Sequence, residues 1–314
     1  MNAPSAMRPP QPAAEGDRIR LRVLSLGAGV QSTTLALMAA HGEIGPMPDC
    51  AIFADTGWEP RAVYEHLAWL MSPNVLPFPV HIVSAGDIRA DLIAGSQGKR
   101  WASIPAFTRN VTPAGSEMPI LGEEDGELVV IGTRILRADR IDVGMIRRQC
   151  TSDYKIIPIR RKVRELVGLT RRRSPKTAIV EQWIGISLDE ALRMKPSFED
   201  WQVNRWPLIE RRMSRRDCLR WLQRHDYPAP PKSACIGCPF HSDAAWRHIR
   251  DTDPEAWADA VALDRTIRTG FRGIRGEVYL HRSAVPLDEA DLTTDMDRGQ
   301  LDLWTNECEG MCGV

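Results

Sequence analysis

Leu21-Arg-Val-Leu-Ser-Leu-Gly-Ala-Gly-Val-Gln-Ser-Thr-Thr34 is a short apolar run, a glycine-rich turn and the opening of a helix. That order predicts a buried strand over Leu21–Leu26 and a helix over Thr33–Ala40 that stops before Gly42. Gly27, Ala28 and Gly29 can bring backbone N–H groups close to a phosphate at the helix N-terminus, where Ser32 and Thr33 add hydroxyl donors. Ser25, near the end of the strand, and Gln31, just before the helix, are further candidates for the nucleotide site. No Gly-Lys-Ser/Thr follows, so the loop is not a Walker A loop. Ser32 also stands where a dinucleotide fingerprint needs its third glycine. The competing reading is a tight strand-to-helix turn that holds no ligand.

Further along, strands are predicted at Cys50–Asp55, at Val80–Ser84 and within Ala178–Ser187. Helices fall at Pro60–Met71, opened by proline, and at Asp87–Ala94. Such alternation predicts an α/β fold, a mostly parallel sheet covered by helices. Ligands of such sheets bind beyond the carboxyl ends of the strands. The Gly27 loop, Asp55-Thr56-Gly57 and Gly185-Ile186-Ser187 all fall at such ends. Asp55 could hold a ribose hydroxyl or Mg2+, or it could cap the following helix.

Residues 95–149 are rich in Gly, Pro and polar residues. They read as an insertion at about 95–145, with Thr112–Glu127 as an exposed piece that forms a hairpin with Leu128–Ile131. Ile159, Val163, Leu166 and Val167 are spaced for a helix capped by Gly168, and residues 213–226 for an amphipathic helix. The expected organisation is a disordered tail at 1–17, a nucleotide-binding α/β domain at 18–210, and a cysteine-bearing region at 211–314 packed on it.

The chain of 314 residues is 43% hydrophobic and 26% charged, with Lys+Arg 41 balanced by Asp+Glu 41. No global field therefore points to nucleic acid or membrane. No apolar run approaches the roughly 18–20 residues of a bilayer span. Residues 1–17 lack the apolar core of a signal peptide, so a cytoplasmic protein with reduced cysteines is expected. Locally the balance breaks. From Arg134 to Lys176 there are fourteen Lys/Arg and four Asp/Glu. Arg147, Arg148, Lys155, Arg160 and Arg161 flank Cys150 there and form either a solvated face or a surface for an anionic substrate.

The seven cysteines fall in a pattern. Cys150, the Cys235-Ile-Gly-Cys238 pair and the tail residues Cys308 and Cys312 supply enough thiolates for a four-ligand centre, and count alone suits zinc and a cubane iron–sulfur cluster equally. His241 and His248 are alternative zinc ligands or surface histidines. Cys50, in an apolar strand, and Cys218, in the amphipathic helix, read as core residues.

Together these segments resemble the PP-loop superfamily, and within it the branch of phosphoadenosine phosphosulfate (PAPS) reductases. The resemblance is carried by Ser25-Leu-Gly-Ala-Gly-Val-Gln-Ser32, Phe53-Ala-Asp-Thr-Gly57, Tyr64, Arg148-Gln-Cys-Thr-Ser-Asp-Tyr-Lys-Ile-Ile-Pro-Ile-Arg160, Gly185-Ile-Ser-Leu-Asp-Glu190, Trp206-Pro-Leu-Ile-Glu210 and Cys235-Ile-Gly-Cys-Pro239, in the family's order over about residues 20–245. It implies a Rossmann-like, adenine nucleotide α-hydrolase-like fold that binds ATP or PAPS. It also implies a 4Fe–4S cluster on Cys150, Cys235 and Cys238.

Gln149 replaces the first of the family's paired cysteines, so the fourth ligand comes from the tail, Cys312 ahead of Cys308, or the cluster keeps an open iron. Glu307-Cys308 is a partial counterpart of the reductases' nucleophile-bearing tail. The resemblance implies either ATP α-phosphate activation with sulfur transfer to a nucleic-acid or small acceptor, served by a sulfur-donor protein, or sulfonucleotide reduction by a Cys308 thiolate. In both, Arg147, Arg148 and Lys155 hold the anionic substrate. A non-enzymatic, metal-stabilised binding module is the third reading.

Overall fold

Alternate residues of a strand face opposite sides of its sheet, and the central strands here are apolar on both sides. Leu24, Ala51, Phe53 and Trp183 enter one buried cluster, while Val23, Ile52 and Val180 enter another. Such strands need cover on both faces. A computed structural model shows how the chain supplies it, describing residues 19–124, 126–294 and 297.

In chain order the elements are β1 (Leu21–Ser25), α1 (Val30–Ala40), β2 (Cys50–Asp55), α2 (Arg61–Leu70), β3 (Val80–Ser84) and α3 (Ile88–Ser96). Four strands follow: β4 (Phe107–Thr112), β5 (Glu117–Glu124), β6 (Glu127–Ile135) and β7 (Arg140–Met145). A π-helical turn at Ser152–Ile156 leads into α4 (Ile157–Leu166), and then come β8 (Val180–Ile184) and β9 (Gln202–Arg205). The last elements are α5 (Pro207–Glu210), α6 (Arg215–Arg224), α7 (Asp243–Thr252), α8 (Pro254–Thr266) and β10 (Glu277–Tyr279).

β1, β2, β3, β8 and β9 form one parallel sheet in the order β3-β2-β1-β8-β9. Residues of α1, α2 and α6 join the cluster on one face, and Val163 of α4 joins that on the other. The expected α/β architecture is therefore present. α1 begins at Val30, three residues before the predicted start, and α3 is capped by the Asp87 carboxylate, which accepts N–H bonds from Arg89 and Ala90 at 2.8 and 3.0 Å.

The insertion does not stand apart. β4 pairs antiparallel with β7 on one side and with β10, from near the chain's end, on the other. A further core joins Ile88 and Leu92 of α3, Ile104, Ile146 and Tyr154 to Trp246, Leu263, Phe271 and Leu280. Cys150, Cys235 and Ile236 pack at its margin. The hairpin β5–β6 pairs with itself, longer than the sequence suggested. Among the described residues no helix is long and apolar enough to cross a membrane.

Candidate functional site

β1 lies between β2 and β8, so the chain leaves it toward one edge of the sheet and later returns to the other side. Crevices open at such reversals, beyond the carboxyl ends of the strands. Gly29 is the N-cap of α1, in extended conformation and with no side-chain cap. The first backbone N–H groups of a helix have no partner within it, and their dipoles favour an anion there. Ala28 holds φ at 53°, a left-handed conformation that costs a non-glycine residue about 1–2 kcal/mol. The Ser32 hydroxyl folds back over the turn, accepting from Gly27 N–H at 3.1 Å and donating to the Gly29 carbonyl at 3.3 Å.

The end of β8 is pressed onto this turn. A methyl group on Gly185 would come within 3.0 Å of the Ser32 backbone nitrogen, so the two segments meet only because that side chain is missing. Buried Ser187 accepts from Gln31 Nε2 at 3.4 Å, Glu190 accepts from the same nitrogen at 3.2 Å, and Arg215 donates to Gln31 Oε1 at 3.1 Å. Gln31 is thus held from three sides. Ser25 accepts from Gln182 Nε2 at 2.6 Å. Thr33 turns away from the loop: it is fully buried and its hydroxyl lies 3.0 Å from His66 Nε2. Successive helical residues point about 100° apart, which is why Ser32 reaches the loop and Thr33 does not.

At the end of β2, Asp55 does not cap the next helix, whose N-cap is Pro60. Its Oδ1 accepts instead from Gly57 N–H and from the Tyr64 hydroxyl, both at 2.8 Å. Burial and that carboxylate push the Tyr64 pKa up. Thr56 faces a different way. Its hydroxyl donates to Glu59 Oε1 at 3.1 Å and lies 3.2 Å from Cys235 Sγ.

That contact opens onto a pocket. Cys150, Cys235 and Cys238 all line it, together with Thr56, Arg148 and Lys155. Trp58, Ile88, Leu92, Ile104 and Phe240 wall it with apolar surface. Three cysteines spread over 89 positions of sequence therefore come to one cavity. Cys150 opens the helix that contains the π turn, and that turn lets Tyr154 point into the core while Lys155 lines the pocket.

The Cys235–Cys238 turn is seated on Trp58. Ile236 N–H donates to the Trp58 carbonyl at 2.9 Å, and a methyl group on Gly237 would overlap the Trp58 ring. His241 is buried and its Nε2 lies 3.0 Å from the Cys235 carbonyl oxygen. Burial lowers its pKa to about 4. It therefore supports the turn and is no surface histidine, whereas His248 on α7 is exposed.

The basic run divides. Arg148 donates to Thr151 at 2.9 Å and stacks over Phe240 at 5.2 Å, and Lys155 Nζ lies 3.8 Å from Glu59 Oε1. Arg147 is exposed outside the pocket lining, as is Arg161. Arg160 and Lys162 are committed to Glu199 and Glu165, at 2.7 and 2.6 Å. Part of the run is thus local ion pairing. Cys50 and Cys218 are buried thiols, pushed by burial to about 11 and about 12, in keeping with a core role. Cys308 and Cys312 lie outside the described residues.

Sequence reasoning missed Glu59 and Trp58. Glu59 has a buried oxygen, Oε2, without a hydrogen bond, beside the cysteine pocket. No periodic pattern marks either residue, although both directly follow the Asp-Thr-Gly stretch. The sequence matches no protein-family model and no curated protein.

Proposed function

We propose that the chain is an adenine-nucleotide-dependent enzyme of sulfur chemistry, working in the cytoplasm on a Rossmann-like PP-loop scaffold. It activates a nucleic-acid or small acceptor with ATP and replaces the activated oxygen by sulfur beside a cysteine-held 4Fe–4S cluster. One observation carries the reading. The segment 233–238 touches both halves of the site, with Ser233 against Gly29 of the glycine-rich turn and Cys235 against Thr56.

The residues around the pocket fit such a cluster. Three thiols share a cavity walled mostly by apolar side chains, and Arg148 and Lys155 offset negative charge there. Cys150, Cys235 and Cys238 would hold it, with Cys312 or Cys308 as the fourth ligand. A bound cluster would supply a polarising or electron-accepting centre next to the acceptor.

The protein groups do the rest. Backbone N–H groups at Gly27–Gly29 and the start of α1 hold the phosphates. Asp55 orients the ribose or Mg2+. Arg148 and Lys155 hold the anionic acceptor through charge-assisted hydrogen bonds. An acceptor oxygen attacks the α-phosphorus, and the bond to the bridging oxygen breaks and releases pyrophosphate. Sulfide delivered by a sulfur-donor protein then displaces AMP and leaves sulfur where the oxygen was.

The test is anaerobic purification with iron and acid-labile sulfide analysis, followed by calorimetry with ATP and PAPS and an assay of acceptor-dependent pyrophosphate release. Gly29→Val should weaken ATP binding at least about tenfold while the fold persists. Stoichiometric zinc without sulfide, or unchanged ATP affinity in that variant, would overturn the reading. Turnover of PAPS without ATP would replace it by sulfonucleotide reduction.

A further inference from the structure

Away from both loops, the carboxyl ends of α1 and α6 lie together. His41 is the C-cap of α1 and His225 that of α6. Glu43 follows two residues after His41. One ligand atom from each of these three side chains lies within 4.8 Å of the other two. We propose that His41, Glu43 and His225 bind a borderline transition dication of the Zn2+, Co2+ or Ni2+ class, at a site separate from the cysteine pocket.

The donors are preset. His225 Nδ1 lies 2.8 Å from the backbone oxygen of Trp221. A carbonyl only accepts, so Nδ1 carries the proton and Nε2 presents its lone pair. That lone pair lies 3.8 Å from Glu43 Oε1. Metal-binding histidines are commonly oriented this way, by donating their other N–H to a backbone carbonyl. The Glu43 carboxylate is fixed in turn, with both oxygens accepting from Trp221 Nε1 at 3.2 and 3.1 Å. The His225 ring stacks on Trp221 at 4.0 Å, and His41 meets Trp221 edge-on at 5.5 Å. Tyr227 Oη, 2.7 Å from His41 Nε2, orients the second imidazole.

Two imidazoles and a carboxylate are the donor set that borderline dications favour. Tetrahedral bonds of about 2.0–2.2 Å would set the ligand atoms roughly 3.4 Å apart, so the side chains close by about 1 Å on binding. None of the three is buried, His225 and Glu43 keeping 31% and 37% of their side-chain surface, which leaves an entry path and a position for water.

The site would brace the helices that organise the glycine-rich turn. α1 begins at that turn, α6 sends Arg215 to Gln31, and α1 is about 16 Å long. A metal at the far ends would pin the pair.

Cobalt(II) is the probe, titrated into the full-length, anaerobically purified protein. Thiolate-bound cobalt gives an intense near-ultraviolet charge-transfer band, and a His/His/carboxylate site gives only visible d–d bands. The expected result is one equivalent of the second kind. His41→Ala and His225→Ala should each weaken it at least about tenfold. His248→Ala should leave it unchanged. Glu43→Gln keeps an acceptor for Trp221 and should also weaken it, which covers the case of a histidine variant that fails to fold. Cobalt bound only with thiolate bands, or equal affinity in wild type and the Glu43→Gln variant, would overturn the proposal and leave a metal-free aromatic cluster.

Discussion

In the five-stranded sheet, Leu24, Ile52 and Trp183 are wholly shut away from water, whereas in the β5–β6 hairpin Leu128 is 74% exposed and Val130 and Ile131 are 64% exposed. Both regions are strands rich in aliphatic residues. They differ in what lies over them. The central strands are covered on both faces, so all their apolar side chains but Leu21 at the start of β1 are buried, and each change of volume is felt. The hairpin's backbone is satisfied by its own partner, and the described residues place no layer over its Leu128–Ile131 face. Packing cover, more than strand composition, decides where aliphatic side chains are buried, and the candidate site sits beside the covered sheet.

The largest test of that contrast is Gly237→Ala. The added methyl group must displace the Trp58 ring or the Cys235–Cys238 turn, and overpacking of this kind costs up to about 3 kcal/mol. Denaturant melting should register the loss, and metal content should fall with it. Unchanged melting would mean that the turn is as yielding as the hairpin.

The second test titrates a buried group on the sheet side. Burial lowers the His66 pKa to about 4, against about 6.5 for a free histidine. Between those values the unfolded chain takes up the proton and the folded one does not. Stability is therefore full above about pH 6.5 and declines as pH falls toward 4, by up to about 3 kcal/mol from this residue. Urea midpoints measured from pH 7 to 4.5 should fall more steeply in wild type than in His66→Gln. Equal slopes would show that the His66 ring is hydrated.

The smallest effect is expected from Leu128→Ser with Val130→Thr on the hairpin. Uncovered side chains contribute little, so stability should move by no more than about 0.5 kcal/mol. A loss above about 1 kcal/mol would reveal that something covers that face.

The same contrast explains what could be read from the sequence. The central strands were legible because burial on both faces demands continuous apolar runs such as Cys-Ala-Ile-Phe-Ala. β9, Gln-Val-Asn-Arg, was not, because an edge strand bonded on one side tolerates polar residues. β4 and β7 lacked a periodic signal for a related reason: Ile141 and Val143 of β7 are exposed. α7 and α8 do carry local signals in the sequence, with Ser242 and Asp253 as N-caps and Pro254 in the first turn of α8.

At the candidate site, Gly27–Gly29, Asp55 and the pocket cysteines Cys150, Cys235 and Cys238 were legible as chemistry-bearing types at strand ends and in a Cys-x-x-Cys turn. Their grouping was only partly so. Thr56 serves the cysteine pocket and Thr33 the core, and those assignments depend on side-chain direction, which a motif does not encode.

The two cores also follow one another along the chain. All members of the clusters on the sheet's two faces precede residue 228, whereas the core beside the cysteines needs Trp246 through Leu292. As the chain leaves the ribosome, the sheet can close while the wall of Trp58, Ile88, Leu92 and Ile104 still waits for its partners. Domains fold as units in the order of synthesis, and surface left open meanwhile is prone to aggregation. The cysteine pocket is thus completed after the sheet, and truncation between residues 239 and 292 should leave a folded sheet carrying an unfinished, sticky cysteine face.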